Sequence, residues 1–211
     1  MTAAELNTRF DIELDAVSSG AAPGFTNDEK SELLTKAQDE LIQSFVQLKN
    51  YNSIYTVVED AIDIADTSHS GQLFYHDLNT VIPDFRYFIN AKAYITRTSP
   101  SSSSGYVDCE LIESKDINKF LNGINNIAYF KYPKIVLQYK MDNYPQLILI
   151  LDNYSTLSSL DIKYIRTPAN IDIDGSITSE LPEFLHKDVV SLAVKEAVKS
   201  MYISKVPQQG Q

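Results

Sequence analysis

The chain has 211 residues, of which 44% are hydrophobic and 22% are charged, which is typical of a globular protein. This length suits one large domain, or one domain with an inserted subdomain, and the near-average composition argues against global disorder. The net charge of −10 argues against nucleic acid and anionic lipid as tightly bound ligands, because phosphates are attracted by cationic surfaces. The single cysteine, Cys109, excludes an intrachain disulfide and any zinc module that needs several cysteines.

No apolar stretch of the sequence is long enough to form a transmembrane helix. The longest aliphatic run, residues 147–151, has five residues, whereas a span needs about 20. The start of the chain lacks the basic and apolar regions of a secretory signal. We therefore expect the protein to be made in the cytoplasm, with no membrane as a partner.

The first third of the chain is acidic and predicts helices. Residues 1–66 contain 13 acids and four bases, and so carry −9 of the net charge. Thr2 with Glu5, and Thr26 with Glu29, have the spacing of capping boxes that begin helices. The apolar residues that follow at helical spacing predict one buried face on each helix: Leu6, Phe10, Leu14 and Val17 in the first, and Leu33, Leu34, Ala37, Leu41, Phe45 and Leu48 in the second. The same spacing from Ile54 to Ala65 predicts a third helix that ends near Asp66.

Residues beyond Pro83 are rich in β-branched and aromatic side chains, which favour strands. A serine-rich segment, residues 99–105, predicts a long hairpin loop, and Ser114 predicts the cap of a short helix that carries Ile117, Phe120 and Leu121. The predicted strands are residues 89–95, 106–112, 134–140, 146–152 and 158–167.

The end of the chain predicts one more helix. Pro182 suits a first helical turn, and an amphipathic run follows it up to about Ser204. We therefore predict an α+β fold in which an N-terminal helical part, residues 1–77, packs against a C-terminal helix and tail, residues 179–211. An antiparallel β-rich module, residues 78–178, is inserted between them.

Residues 170–177, Asn-Ile-Asp-Ile-Asp-Gly-Ser-Ile, resemble the first part of an EF-hand calcium loop. The resemblance stops at position 12, where Leu181 replaces the bidentate carboxylate. We therefore expect Asp174-Gly175 to form a tight turn instead. A calcium-binding adhesion or interaction module remains the alternative function.

The histidines and the cysteine do not occur in a sequence pattern that indicates a metal site or a catalytic site. His69 and His76 do not have the spacing of metal ligands, and we expect His186 to pack or to cap the last helix. Cys109 has a carboxylate on each side, which disfavours the thiolate. No hydrolase or phosphate-loop motif occurs, so a small hydrolase stays open without specific support. We expect no catalytic residue, no metal site and no cofactor.

The chain has 13 tyrosines, nine phenylalanines and no tryptophan. Aromatic residues are dense at 85–88 and 129–132. Packing within the core and strands is one explanation, and a protein interface is the other, because tyrosine supplies a large contact area at small entropic cost.

Two segments near the ends of the chain have a recognisable pattern: residues 34–42, Leu-Thr-Lys-Ala-Gln-Asp-Glu-Leu-Ile, and residues 180–190, Glu-Leu-Pro-Glu-Phe-Leu-His-Lys-Asp-Val-Val. They resemble the opening and the closing helix of a family of virion structural proteins from crAss-like gut bacteriophages. Residues 162–168 resemble a late strand that contains a tyrosine and ends at a proline. The basic run usual in the third helix of the family is absent here.

The resemblance implies a non-enzymatic ring component of the head-tail connector or tail. Such rings are often dodecameric and surround the DNA channel of the virion. The implied partners are copies of the chain itself, the portal and neighbouring ring or tail proteins, with DNA only as passing cargo.

We predict two groups of interface residues. The first is acidic: Asp39, Glu40, Glu59 and Asp60. The second lies in the tail, Val206, Pro207, Gln208 and Gln209, which has too little apolar mass to fold alone and is expected to order against a neighbour. The acidic side chains could face a basic partner, the DNA channel or solvent, and the sequence leaves these alternatives open.

Overall fold

The computed structural model describes residues 1–18, 24–61, 63–64, 68–70, 72–98, 102–122, 132–139 and 145–204. The chain divides into two compact units. Unit 1 combines Met1–Val57 with Pro168–Gln211, and unit 2 is Val58–Thr167. The fold is α+β, as predicted, with helices at both ends of the chain and a β module in the middle.

The helices and strands are as follows. The α-helices are α1 (Ala3–Ser18), α2 (Asn27–Gln47), α3 (Leu78–Val81), α4 (Ile117–Asn122) and α5 (His186–Ser204). Short 3-10 helices span Tyr51–Val57, Ser114–Asp116 and Glu183–Leu185. The strands are β1 (Val58–Ala61), β2 (Ser68–Ser70), β3 (Leu73–Asp77), β4 (Phe85–Arg97), β5 (Ser103–Asp108), β6 (Glu110–Leu111), β7 (Lys134–Tyr139), β8 (Pro145–Ile150) and β9 (Ser155–Arg166). Within the described residues, no helix has both the length and the apolarity to cross a bilayer.

In unit 1, α5 packs against both α1 and α2, which confirms the predicted association of the terminal helices. Both predicted capping boxes are present, because the hydroxyl of each threonine accepts a bond from the glutamate N–H and the carboxylate accepts one in return. Val17 and Leu48, predicted to be buried, are 62% and 74% exposed because they lie at helix ends, beyond the packed turns. The buried apolar side chains include Leu6, Phe10, Leu14, Leu34, Ala37, Ile42, Val189, Val190, Ala193 and Ala197.

One charged residue of α2 is buried against expectation. The helical pattern places Lys30 away from the apolar face, yet its relative exposure is 7%. The Nζ atom donates to Asn7 Oδ1 at 2.9 Å and to Asp11 Oδ2 at 2.8 Å, both on α1. These partners compensate for the lost hydration of the ammonium group and join the two helices.

The predicted third helix is wrong. Tyr51–Val57 is a 3-10 helix, and Val58–Ala61 is a strand that pairs antiparallel with β9. The helical spacing correctly identifies Ile54 and Val57 as buried, but pairing with a strand about 100 residues later determines the conformation after Val57. Unit 2 therefore begins at Val58 and ends at Thr167, whereas the predicted module runs from 78 to 178.

Unit 2 contains two sheets that share a core. One has the order β1-β9-β4-β5 and is antiparallel throughout; the other has the order β2-β3-β8-β7-β6 and is antiparallel except between β6 and β7. The predicted β4–β5 and β7–β8 hairpin pairings are confirmed, although β5 already begins at Ser103, within the predicted loop. The common core includes Ala91, Ala93, Ile95, Ile135, Leu147, Leu149, Leu160 and Ile162.

A second, smaller cluster covers the other face of the five-stranded sheet. Val136, Ile148 and Ile150 pack there against Ile117 and Leu121 of α4. The predicted short helix therefore exists and closes a third layer of unit 2. Glu113, and not Ser114, occupies the N-cap position of the 3-10 turn that leads into it, and it makes no side-chain capping bond.

A polar row along α2 binds the segment 169–180 within unit 1. The row consists of Asn27, Ser31, Thr35 and Gln38, whose spacing of three and four residues places them on one face. The first three bond to Asp174 Oδ1, Ile173 N and Ile171 N at 2.6, 3.1 and 3.0 Å.

Gln38 is the fully buried member of this row, with 0% exposure. Its Nε2 atom donates to the carbonyl of Ala169 at 3.1 Å. Its Oε1 atom accepts bonds from Ser179 Oγ at 2.6 Å and from Glu180 N at 3.3 Å. One side chain thus holds both ends of the segment against α2.

We predict that Gln38→Ala lowers the free energy of unfolding by about 2–4 kcal/mol, because it leaves a cavity and several buried polar groups without partners. Urea unfolding followed by circular dichroism measures the change. The matched control is Gln43→Ala, an exposed glutamine of the same helix, with an expected change within about 0.5 kcal/mol. Equal effects of the two substitutions would contradict the structural role of Gln38.

Candidate assembly surfaces

The predicted acidic interface residues lie in both units. Asp39, half-buried, and Glu40, exposed, belong to α2 of unit 1. Glu59 and Asp60 are exposed on β1 of unit 2. The sequence alone presents them as one acidic group, whereas the fold places one pair in each unit. The tail residues Val206, Pro207, Gln208 and Gln209 lie outside the described residues.

The two acids of β1 are paired with cations of the neighbouring strand β9. Asp60 Oδ2 lies 3.7 Å from Lys163 Nζ, and Glu59 Oε1 lies 3.3 Å from Arg166 Nε. Both pairs are partly exposed, so solvent screens them and each contributes little to stability. They reduce the negative charge that β1 presents to a partner.

An open groove of about 440 Å³ runs beside α2. It contains two carboxylates and one ammonium group, and the Lys36 ammonium also lies 3.8 Å from Glu196 on α5. The groove is therefore acidic on balance and suits basic or polar side chains of a partner. Its lining residues are Ser31, Glu32, Thr35, Lys36, Asp39, Asn170 and Ile171.

A second groove, of about 550 Å³, lies along the solvent-facing side of α1 and ends at Glu183. Ile12 lines it and is 64% exposed, and Phe184, next to Glu183 in the chain, is 63% exposed. The groove is therefore open to solvent, with the apolar side chain of Ile12 in its lining. The sequence contains one signal of this surface, because Ile12 lies away from the Leu6-Phe10-Leu14 stripe.

The outer face of the four-stranded sheet is polar and aromatic. Tyr94 and Tyr106 stack edge to face with their ring centroids 4.9 Å apart, and Tyr94 Oη donates to Ser104 Oγ at 3.3 Å. Tyr106 is 59% exposed. A groove of about 340 Å³ lies on the same sheet and is lined by Asp60, Asn90, Lys92, Asp161, Ile162 and Lys163.

The calcium-like segment forms a tight turn. Asp172 and Ile177 exchange two backbone hydrogen bonds, of 3.0 and 2.8 Å. They form an isolated β-bridge that does not belong to any of the named strands. Gly175 N donates to Asp172 Oδ1 at 2.8 Å, and a Cβ at Gly175 would come within 2.4 Å of Asp172 Oδ2. Any side chain at position 175 would therefore displace the Asp172 carboxylate from its bond to the backbone.

Protein donors bond to one carboxylate oxygen of each aspartate in this turn. Asp172 accepts from Gly175, and Asp174 accepts from Asn27 of α2. Over the described ranges, no group of three or more His, Cys, Asp or Glu residues could hold a metal ion. The turn instead bonds to the polar row of α2, through Asp174 with Asn27 and through Ile173 with Ser31.

We predict that neither EGTA nor millimolar calcium changes the melting temperature, because the turn is held by protein donors and Leu181 lies at the position of the bidentate ligand. Differential scanning fluorimetry with and without each reagent measures this. Asp172→Asn is the matched variant, since it would weaken any calcium response. A rise of several degrees with calcium, lost in that variant, would contradict the prediction.

The histidines and the cysteine occupy structural positions. His186 is buried as expected, with Nε2 2.8 Å from the carbonyl oxygen of Leu181. His76 is also buried, and the side chain of His69 lies outside the described residues. Burial raises the pKa of the Cys109 thiol to about 12, and the Asp108 carboxylate adds to this, against the lowering effect of a backbone bond from Ala93. Burial therefore raises the pKa of this thiol more than the neighbouring carboxylate does, although the sequence suggested only the effect of the carboxylates.

The aromatic patch at residues 85–88 lies within the described residues, whereas the patch at 129–132 lies mostly outside them. Phe85 stacks on Tyr164 at 5.9 Å, and the Arg86 guanidinium lies 5.5 Å from the centroid of the Tyr87 ring. The patch at 85–88 thus packs within unit 2. Of the patch at 129–132, only Tyr132 is described, and it is 62% exposed.

The open grooves and the exposed apolar and tyrosine side chains are the described surfaces that are open to contact with another protein. No protein-family profile matches the chain. The chain is similar to "Ring protein 4/5" of Bacteroides phage crAss001, with 26% identity over an alignment of 235 positions that covers 96% of this chain and 94% of the relative. This similarity spans both units and supports, at the level of the family, a structural ring protein of a bacteriophage.

Proposed function

We propose that this chain is a non-enzymatic viral protein that forms a homo-oligomeric ring in the neck or tail of a bacteriophage virion. In this role it connects the portal to the tail around the DNA channel. The observation that carries the proposal is the similarity to a phage ring protein over 96% of the chain, which includes the helices of unit 1 and the sheets of unit 2.

The surfaces of the chain are compatible with a ring. A ring of more than two subunits needs two different complementary surfaces on each subunit, because its contacts are head to tail. The chain has several distinct surfaces, which include the α1 groove with Ile12 in unit 1 and the four-stranded sheet that carries Tyr106 in unit 2. Further faces are then available for the portal and for neighbouring ring or tail proteins.

The charge of the chain suits DNA that passes without binding. A net charge of −10 on each of twelve expected subunits disfavours adhesion of the duplex. In unit 1, the acidic groove beside α2 supplies exposed carboxylates that could face the channel or a basic partner. The tail residues 206–209 are proposed to contact the neighbouring subunit.

Light scattering coupled to size exclusion, together with negative-stain imaging, tests the proposal on the purified full chain. We expect a mass that is a multiple of 23.7 kDa and closed rings with a central channel. Mass spectrometry of purified phage particles should detect the chain at several copies per particle. A chain that stays monomeric at every concentration and is missing from the particles would refute the proposal.

We predict that amide substitution of the four acidic interface residues slows association and flattens its salt dependence, because electrostatic steering acts through screened charge. The variant carries Asp39→Asn, Glu40→Gln, Glu59→Gln and Asp60→Asn, and stopped-flow light scattering at several salt concentrations measures the rate. The two pairs are also tested separately, because the β1 acids are ion-paired and the α2 acids line or adjoin an acidic groove.

Normal assembly combined with impaired DNA packaging or ejection would assign the acids to the channel instead. Wild-type association at every salt concentration, with normal packaging and ejection, would show that the acidic residues serve solubility alone.

A further inference from the structure

The four-stranded sheet of unit 2 ends in an unusually open edge strand. Among the described strands, β5 pairs only with β4. Natural edge strands are usually short or carry lysine, proline or a bulge, which prevents further pairing. In contrast, β5 has six residues, Ser-Ser-Gly-Tyr-Val-Asp, with no lysine or proline and a regular register. The edge strands of the other sheet, β2 and β6, have only three and two residues.

The pairing with β4 shows which backbone groups of β5 point outward. Cys109 N, one residue beyond β5, donates to the carbonyl of Ala91 at 3.0 Å, and these residues continue the β4–β5 register. Bonded positions alternate along an antiparallel strand, so the other odd-numbered residues of β5 also bond to β4. The N–H and C=O groups of Ser104, Tyr106 and Asp108 therefore face the open edge.

The opposite edge of the same sheet is β1. Because β1, β9, β4 and β5 alternate in direction, β1 and β5 run antiparallel to each other. Copies placed side by side in the same orientation, as in a ring, would thus bring β5 of one subunit and β1 of the next together as an antiparallel pair. A sheet with an odd number of antiparallel strands would give a parallel pair instead.

Charge and side-chain size favour one register of this pair. Asp60 lies on the outer face with Lys163, and Val58, two residues away, shares that face. On β5, Tyr106 and Ser104 lie on the outer face with Tyr94. A register with Val58 opposite Tyr106 places Asp60 opposite the Ser104 hydroxyl, which can donate to a carboxylate.

In this register Asp108 extends beyond the end of β1, so it has no acid opposite it. A shift of four residues would place Asp60 directly opposite Asp108, and like charges in that position destabilise a strand pair. The complementary pairs are therefore apolar with aromatic, and carboxylate with hydroxyl.

We propose that β5 of each subunit adds to the β1 edge of a neighbouring copy, so that one sheet continues from subunit to subunit around the assembly. The proposed partner is a second copy of this chain. The inference rests on the proposed ring function and identifies the strands that make the contact.

Ser104→Pro tests the backbone pairing. Proline removes the outward N–H of residue 104, which has no role in the β4–β5 ladder, and edge positions of this kind tolerate proline. Ser104→Ala is the matched control, because it also removes the hydroxyl bonded to Tyr94 but keeps the N–H. We expect Ser104→Pro to weaken self-association about tenfold or more, and Ser104→Ala to change it within about threefold, as measured by analytical ultracentrifugation. The melting temperature of dilute samples reports whether each variant is folded.

Disulfide trapping tests independently of the proline variant whether β1 of a neighbouring copy lies opposite β5. Val58→Cys and Tyr106→Cys are combined in a Cys109→Ala background, because side chains opposite each other in an antiparallel pair are close enough for a disulfide. We expect a ladder of covalent oligomers under mild oxidation from the double variant, and none from either single-cysteine variant.

The outcomes separate the two proposals. Rings that form normally from Ser104→Pro, with no disulfide ladder from the double variant, would refute strand pairing and leave the ring function standing. A disulfide dimer from Tyr106→Cys alone would show a twofold contact between β5 strands and would refute the pairing with β1. A wild-type chain that remains monomeric would refute both.

Discussion

The hydrogen-bonded contact between the polar row of α2 and the segment 169–180 is the constraint on which the structure of unit 1 depends. Unit 1 is built from two ends of the chain that are separated by the 110 residues of unit 2. Bringing such distant ends together costs loop-closure entropy, although this cost grows slowly with length. The apolar face of α5 offsets it by burial against α1 and α2, and the buried amide of Gln38 fixes where the returning chain lies. Burial supplies most of the free energy here, and the polar bonds supply the register.

The two units differ in the kind of contact they can offer. Unit 1 presents helix surfaces, on which affinity comes from side chains such as Ile12 and from carboxylates beside α2. Unit 2 presents strand edges, on which the backbone itself can bond and side chains choose the register. A ring subunit must contact copies of itself as well as unlike neighbours, and two units with different surfaces can meet these demands separately. The weak ion pairs of β1 fit this division, because they balance charge without closing the edge.

Part of the fold and little of the candidate surface could be predicted from the sequence. Capping boxes and apolar spacing are local signals, so α1, α2 and α5 were predicted with their buried faces. The conformation of Val58–Ala61 was predicted wrongly, because its apolar spacing also fits a helix and only the distant strand β9 decides between them. The polar row of α2 has a helical spacing that is visible in the sequence, but its partners lie more than 130 residues away. The acids of α2 and β1 were identified as charged, yet not as members of two separate units.

Residue type and local spacing account for the fold class, the capped helices, the hairpin pairings and the acidic first third, because these features depend on a few turns or strands. Only the folded chain shows where unit 2 begins, how the turn at Asp172–Ile177 is used and which strands form the sheet edges. It also shows that Lys30 is buried, through acceptors on another helix. Each of these features depends on contacts between groups far apart in the chain. Such contacts contribute to stability only when the fold brings the two partners together.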